Sequence, residues 1–114
     1  MERIDLGRLS DLAPNDVRFV RYDGPPPRRS IIVVHSTEGV RAYWNVCRHL
    51  PVPLDAGLGR LPRAAQPGEL MCATHGARYR ADTGLCVAGP CTGAILDEIT
   101  VEIDPENDRM WACL

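Results

Sequence analysis

Four side chains stand out by type and spacing. Cys47 and His49 form C-x-H, and Cys72 and His75 form C-x-x-H. Each pair falls where a strand is expected to give way to a loop. Two loop tips brought together would present two thiolates and two imidazoles at one place, and that mixture binds metal. One reading is a single zinc ion in a tetrahedral Cys₂His₂ staple, although zinc fingers usually order two Cys before two His and this chain alternates them. The other reading is a [2Fe–2S] cluster. Four thiolates on such a cluster leave excess negative charge, so adding an electron costs more. Two neutral imidazoles in place of two thiolates bring the oxidised unit to about zero and the reduced unit to about −1, and the potential rises to a range of roughly −150 to +300 mV.

The chain that must position them has 114 residues, enough for one small domain with one modest core. A domain of that size buries a limited share of its surface, so metal ligation would help to hold it. With 45% hydrophobic and 25% charged residues the composition is that of a folded globular domain, not a disordered chain. The five cysteines are an odd count in a chain expected to be cytoplasmic, which argues for ligands plus spare thiols over a disulfide framework. No stretch is long enough to span a membrane, and the opening MERIDLGRLSDLAP is not a charged segment followed by an apolar run. Neither a membrane nor nucleic acid is expected as a partner, since no long basic block occurs. Charge is uneven: residues 48–80 hold five Arg and two acids, while residues 81–114 hold one Arg and seven acids. The basic stretch is either a solvated rim or a docking face for an acidic partner.

Turn residues recur at short intervals with β-branched and aromatic runs between them, which is an all-β pattern. VRFVRY (17–22) alternates and predicts a half-buried strand. The prolines of DGPPPRRS deny the backbone its donors and predict an exposed loop. Strands are expected over 31–34 and 40–45, then a hairpin from 70–72 and 77–80, then 98–103 and 109–113. Residues 50–69 hold four prolines and three glycines and predict a long loop, and AGPCTG (88–93) predicts another. The one helical turn expected lies near SDLAPND (10–16), capped by Ser10 or Asp11 and limited by Pro14.

VCRHLPVPLDAG, MCATHGARYRADTG and Gly89-Pro90, after an opening DLGRLSDLAP…VRFV, resemble the Rieske iron–sulfur family over nearly the whole chain. The resemblance implies the Rieske fold: antiparallel sheets in a single domain (1–114), with a cluster-binding subdomain of approximately 45–92 inserted in the β base. It implies one [2Fe–2S] cluster per chain, with Cys47 and Cys72 on the buried iron and His49 and His75 on the outer one. Pro90 would lie in the loop that covers the cluster. Departures from the family pattern also carry meaning. The 22 residues between His49 and Cys72 are long for compact members, and Arg48 stands where proline or threonine is commoner. Val52 and Thr74 occupy the positions of the extra disulfide of high-potential members. Ala77 replaces a serine donor of those members, while Tyr79 keeps the tyrosine. Fewer donors stabilise the reduced form less, so an intermediate-to-low potential is expected.

The function implied is one-electron transfer, as a ferredoxin that takes electrons from a flavin reductase and feeds an oxygenase or similar redox enzyme, monomeric when free. Beyond the four ligands only His35 remains, so the two-His, one-carboxylate iron site of Rieske oxygenases cannot be built, and no substrate site is expected. Two alternatives stand beside the carrier. One is a Rieske-like accessory small subunit of a larger reductase such as nitrite reductase; the other is a zinc-stapled structural module. Structural roles are expected for His35, Trp44, Trp111 and Cys113, and free thiols for Cys86 and Cys91.

Overall fold

The computed structural model describes residues 2–62 and 68–114. These form nine strands and one 3₁₀ turn: β1 (Arg3–Arg8), the turn (Leu9–Asp11), β2 (Val17–Arg21), β3 (Ser30–Ser36), β4 (Gly39–Trp44), β5 (Glu69–Met71), β6 (Arg78–Arg80), β7 (Cys86–Ala88), β8 (Glu98–Asp104) and β9 (Arg109–Cys113). Six of them make one antiparallel sheet in the order β1-β9-β8-β4-β3-β2, and β5-β6-β7 make a smaller antiparallel sheet. The all-β antiparallel fold expected from the turn spacing is therefore the observed one. Among the described residues no helix is long and apolar enough to cross a membrane.

The larger sheet curls towards a barrel, with β1 and β2 at its edges. Arg18 on β2 donates from Nη1 to the carbonyl of Leu6 on β1 at 2.9 Å, so a side chain bridges the gap that backbone pairing leaves. That carbonyl is available because β1 bulges. Its register against β9 shifts between Asp5 and Gly7, where Gly7 adopts φ +96° and donates its N–H to Asp5 Oδ1. A methyl group on Gly7 would collide with the Arg18 guanidinium.

Strands β3 and β4 are a wall between two cores. Residues 31–34 are all apolar and all buried, and the period of two in a strand deals them alternately to opposite faces. Ile31, Val33, Ala42 and Trp44 pack inside the curled sheet with Leu6, Leu12, Ile99, Met110 and Ala112. Ile32, Val34 and Tyr43 pack on the other side with Leu54, Leu70, Tyr79, Leu96 and three cysteines, Cys47, Cys72 and Cys86. The smaller sheet covers that second face and is contributed by the chain between β4 and β8. Tyr43 crosses the second core and donates its hydroxyl to the carbonyl of Ala81 at 2.9 Å. Gly84, at φ +77°, makes room for it: a Cβ there would sit 2.8 Å from the ring.

The chain leaving β4 is fixed by a buried polar pair. Asn45 donates from Nδ2 to Asp55 Oδ1 (3.0 Å) and to Ser30 Oγ (2.9 Å), and its Oδ1 accepts the N–H of Leu54 (2.7 Å). Asp55 Oδ2 in turn accepts the N–H of Gly59 at 2.9 Å. The loop 46–58 is thereby tied to the wall despite its prolines and glycines. Of the long loop expected over 50–69, residues 63–67 lie outside the described residues.

Three features differ from the sequence expectations. The 3₁₀ turn begins after Arg8, which makes no side-chain cap, so neither Ser10 nor Asp11 caps it; Ser10 instead bonds to Asp108 across the β8–β9 turn. Strand β1 was not expected because the bulge at Gly7 breaks its alternation. Strand β7 was not expected because three residues beside Gly-Pro carry too little pattern; pairing with β6 is what makes it a strand.

Two substitutions test this account. Tyr43→Phe leaves the Ala81 carbonyl without its buried donor and should cost about 1–2 kcal/mol, read as a lower urea midpoint at unchanged slope. Asn45→Ala strips partners from the Leu54 N–H and the Asp55 carboxylate together and should cost more, about 2–3 kcal/mol, in the same experiment. A loss for Asn45→Ala no larger than that for Tyr43→Phe would show that the Asn45–Asp55 pair does not fix the loop.

Candidate functional site

The two C-x-H-type segments are tight turns at one end of the smaller sheet. In the first, the N–H of Cys47 bonds to the carbonyl of Val52 at 2.8 Å and that of Val52 to Leu50 at 2.7 Å. In the second, the N–H of Cys72 bonds to the carbonyl of Ala77 at 2.8 Å and that of Gly76 to Cys72 at 3.0 Å, with Gly76 at φ +73° closing the turn. The turns are joined to each other by the N–H of Ala73 and the carbonyl of Leu54 at 2.8 Å. Residues 25 apart in sequence are thus held side by side by backbone bonds.

The structure brings together all four side chains singled out from the sequence, and it sorts them by type. Cys47 and Cys72 are 4% and 1% exposed and lie in the same buried core. His49 and His75 are exposed, with ring centroids 4.9 Å apart and planes at 76°. The sorting follows from the turns: in each, the cysteine is the last residue packed in the core and the histidine lies at the solvent-facing tip.

The surroundings of the two sulfurs act in opposite directions. Burial pushes the Cys47 thiol up, but the Tyr79 hydroxyl, the N–H groups of His49 and Leu50, and Cys72 outweigh it and hold the thiol below its ordinary value. Burial and the neighbouring Cys47 push the Cys72 thiol up, while the N–H groups of Thr74 and His75 pull against them. N–H and O–H donors aimed at buried sulfur are what a metal-bound thiolate requires.

Tyr79 is fully buried, and its hydroxyl is the centre of this environment. It lies 3.3 Å from Cys47 Sγ and 3.2 Å from Cys91 Sγ, and it accepts the N–H of Arg48 at 2.9 Å. Burial first, then Cys47 and Cys91, raise the phenol well above its ordinary value, so it stays a donor. Over these turns lies Gly89, at φ +100°; a Cβ on it would sit 2.8 Å from Ala77 Cα, so glycine is what lets the Gly89-Pro90 loop approach the second turn.

The remaining sequence candidates fall elsewhere. The Nδ1–H of His35 donates to the carbonyl of Leu12 at 3.0 Å, away from the site, in a structural role. Trp44 packs against Tyr22, and Trp111 lies under Arg3. Three of the arginines described in the basic stretch have acidic partners. Arg48 pairs with Asp97, Arg78 with Glu69 and Arg80 with Asp82, while Arg63 lies outside the described residues. Sequence reasoning missed Asn45 and Asp55, and it read Cys91 as a free thiol, correctly, without foreseeing its contact with Tyr79. Asn45 carried a signal, as a lone amide ending an apolar, aromatic run; Asp55 sits in a loop with no pattern to mark it.

Among the described residues no three His, Cys, Asp or Glu side chains converge as ligands of a single ion. Two buried thiols and two exposed imidazoles are a donor set that could hold a group with two metal atoms.

Comparison with known proteins agrees with the geometry. No curated protein sequence matches the chain. Among solved structures, the ferredoxin of carbazole 1,9a-dioxygenase from Nocardioides aromaticivorans IC177 is similar in fold, with a TM-score of 0.73 at 23% identity over 99% of this chain and 98% of that one. A chain from the complex of reduced oxygenase and oxidised ferredoxin in carbazole 1,9a-dioxygenase gives 0.75 at 20% identity, over 97% and 92%. The terminal oxygenase of carbazole 1,9a-dioxygenase from Novosphingobium sp. KA1 gives 0.77 at 18% identity, over 99% of this chain but only 30% of the oxygenase. The model of the Rieske [2Fe-2S] domain matches residues 2–102. With that match over most of its length, the chain belongs to the Rieske [2Fe–2S] domain family.

Proposed function

We propose that the chain is a one-electron carrier of the ferredoxin type, holding one [2Fe–2S] cluster through Cys47 and Cys72 on the inner iron and His49 and His75 on the outer iron. The observation that carries this reading is the sorting of the four side chains: paired buried thiols behind paired exposed imidazoles. The bound cluster would supply a centre that accepts and releases one electron at little cost in net charge. The rest is the work of the protein. Cys47 and Cys72 sit in the second core, where donors from Tyr79 and the turn N–H groups compensate charge on sulfur. His49 and His75 present a pair of rings at the surface, the place where a redox partner would approach most closely. The wall of β3 and β4 keeps solvent from the inner side.

The resemblance in fold to a ferredoxin over almost its whole length supports the free carrier, with a flavin reductase as donor and an oxygenase as acceptor. The accessory-subunit reading predicts a stable complex with a larger enzyme. Size-exclusion chromatography and co-purification from the native host separate the two: a carrier elutes as a monomer, a subunit with its partner.

The decisive experiment is the EPR and visible spectrum of the purified protein before and after dithionite, with iron, zinc and sulfide analysis. A red-brown protein with about two irons per chain and the low average g of a histidine-ligated centre is expected. His49→Cys or His75→Cys should shift g upward and lower the midpoint. A colourless protein with stoichiometric zinc would overturn the reading.

Tyr79→Phe removes the hydroxyl donor to Cys47. The midpoint should fall by on the order of 50 mV, since a tenfold change in a one-electron equilibrium is about 59 mV. An unchanged midpoint would remove Tyr79 from the account.

A further inference from the structure

The loop that covers the second turn carries Cys91, and its thiol is the second sulfur against the Tyr79 hydroxyl. The hydrogen-bond inventory around that oxygen can be closed. A phenol has one proton and two lone pairs. Three groups surround it: the Arg48 N–H at 2.9 Å, Cys47 Sγ at 3.3 Å and Cys91 Sγ at 3.2 Å. The Arg48 N–H can only donate, so it takes one lone pair. If Cys47 binds iron as a thiolate it can only accept, so it takes the proton of Tyr79. One lone pair is left, and Cys91 Sγ faces it.

Cys91 has one other candidate acceptor, Cys86 Sγ at 3.4 Å. Cys86 donates its own proton to the carbonyl of Ala88, 3.3 Å away, which leaves its sulfur able to accept the Cys91 S–H, so the choice between the two acceptors rests on their strength and distance. The Cys86 thiol stays protonated: burial and Cys91 push it up to about 11. Oxygen is the better acceptor of the two, and it is the nearer one.

We propose that Cys91 tunes the redox centre through Tyr79: its S–H donates to the Tyr79 oxygen, which polarises the Tyr79 O–H and strengthens its bond to the Cys47 sulfur. The inference rests on the reading of Cys47 as a cluster ligand. Cys91 is a positioning residue and does not touch the centre. Chains of hydrogen bonds strengthen one another in a buried setting, so removing the first donor weakens the last bond. The bond it weakens is stronger when sulfur carries more charge, so its loss disfavours the reduced form.

The test is a double-mutant cycle on the loaded protein. Cys91→Ala should lower the midpoint by less than Tyr79→Phe does, and should do nothing further in the Tyr79→Phe background. Cys91→Ser, which keeps a donor, should return the midpoint to the wild-type value or above it. No shift in Cys91→Ala, or the same shift in both backgrounds, overturns the proposal. A second readout needs no electron transfer. In the infrared, the S–H stretch lost in Cys91→Ala should lie at lower wavenumber than that of a free thiol, and Tyr79→Phe should move it up; a band indifferent to Tyr79→Phe is equally fatal. A wild-type protein without iron would instead sink the cluster reading, and the infrared measurement would still report whether Cys91 donates to Tyr79.

Discussion

The structure depends on a pair of strands that is buried on both faces. A strand in a curled antiparallel sheet normally offers one face to the core and one to water. β3 and β4 cannot, because Ile31, Ile32, Val33 and Val34 are consecutive and apolar, as are Ala42, Tyr43 and Trp44. Burying only one face would leave Ile32, Val34 and Tyr43 exposed, and a fully buried aliphatic or aromatic side chain is worth about 1.5–3 kcal/mol. The second face therefore needs a lid, and the chain between β4 and β8 supplies it.

That lid is a poor structure by itself. Its strands are three residues long, its connections are rich in proline and glycine, and a three-stranded sheet of that size has little to bury alone. It borrows its stability from the wall: Tyr43 reaches up to Ala81, and Asn45 holds Asp55 and the Leu54 N–H. The site forms where the two layers meet. Cysteines belong at such a seam, since a thiol packs as a small hydrophobe, and the two turns that carry them also end there. Histidine, larger and polar, is carried past the seam into solvent.

The same layering accounts for the electrostatics. A buried sulfur carries charge only where donors reach it, and here donors come from two sources: the turn backbones and Tyr79 on β6. Each belongs to a different part of the lid, so the environment of the sulfurs reports on the packing of the whole smaller sheet. Gly89 is a close approach in that packing, with no space for a side chain against Ala77.

How much of this could be read from residues alone divides along a physical line. Ligand chemistry is local: C-x-H and C-x-x-H place donors two and three residues apart, and no packing is needed to see that two such pairs can bind metal. The strands over 17–22, 31–34, 40–45 and 98–103 were legible too, because alternation and apolar runs are properties of short segments. The β1 strand was hidden by its bulge, and β7 by its brevity; both exist because a partner strand distant in sequence satisfies their backbone groups. The unbroken run 31–34 gave a strand but not its two cores, since a double-sided wall is visible only when both neighbours are present. Asn45 could be seen as an amide out of place, but its partner Asp55 lies ten residues away in a loop without pattern. Cys91 could be read as a free thiol, which it is, but not as a neighbour of Tyr79. Its meaning comes from the Tyr79 oxygen 3.2 Å away, and sequence does not encode distances between loops, which only the packing of the lid on the wall decides.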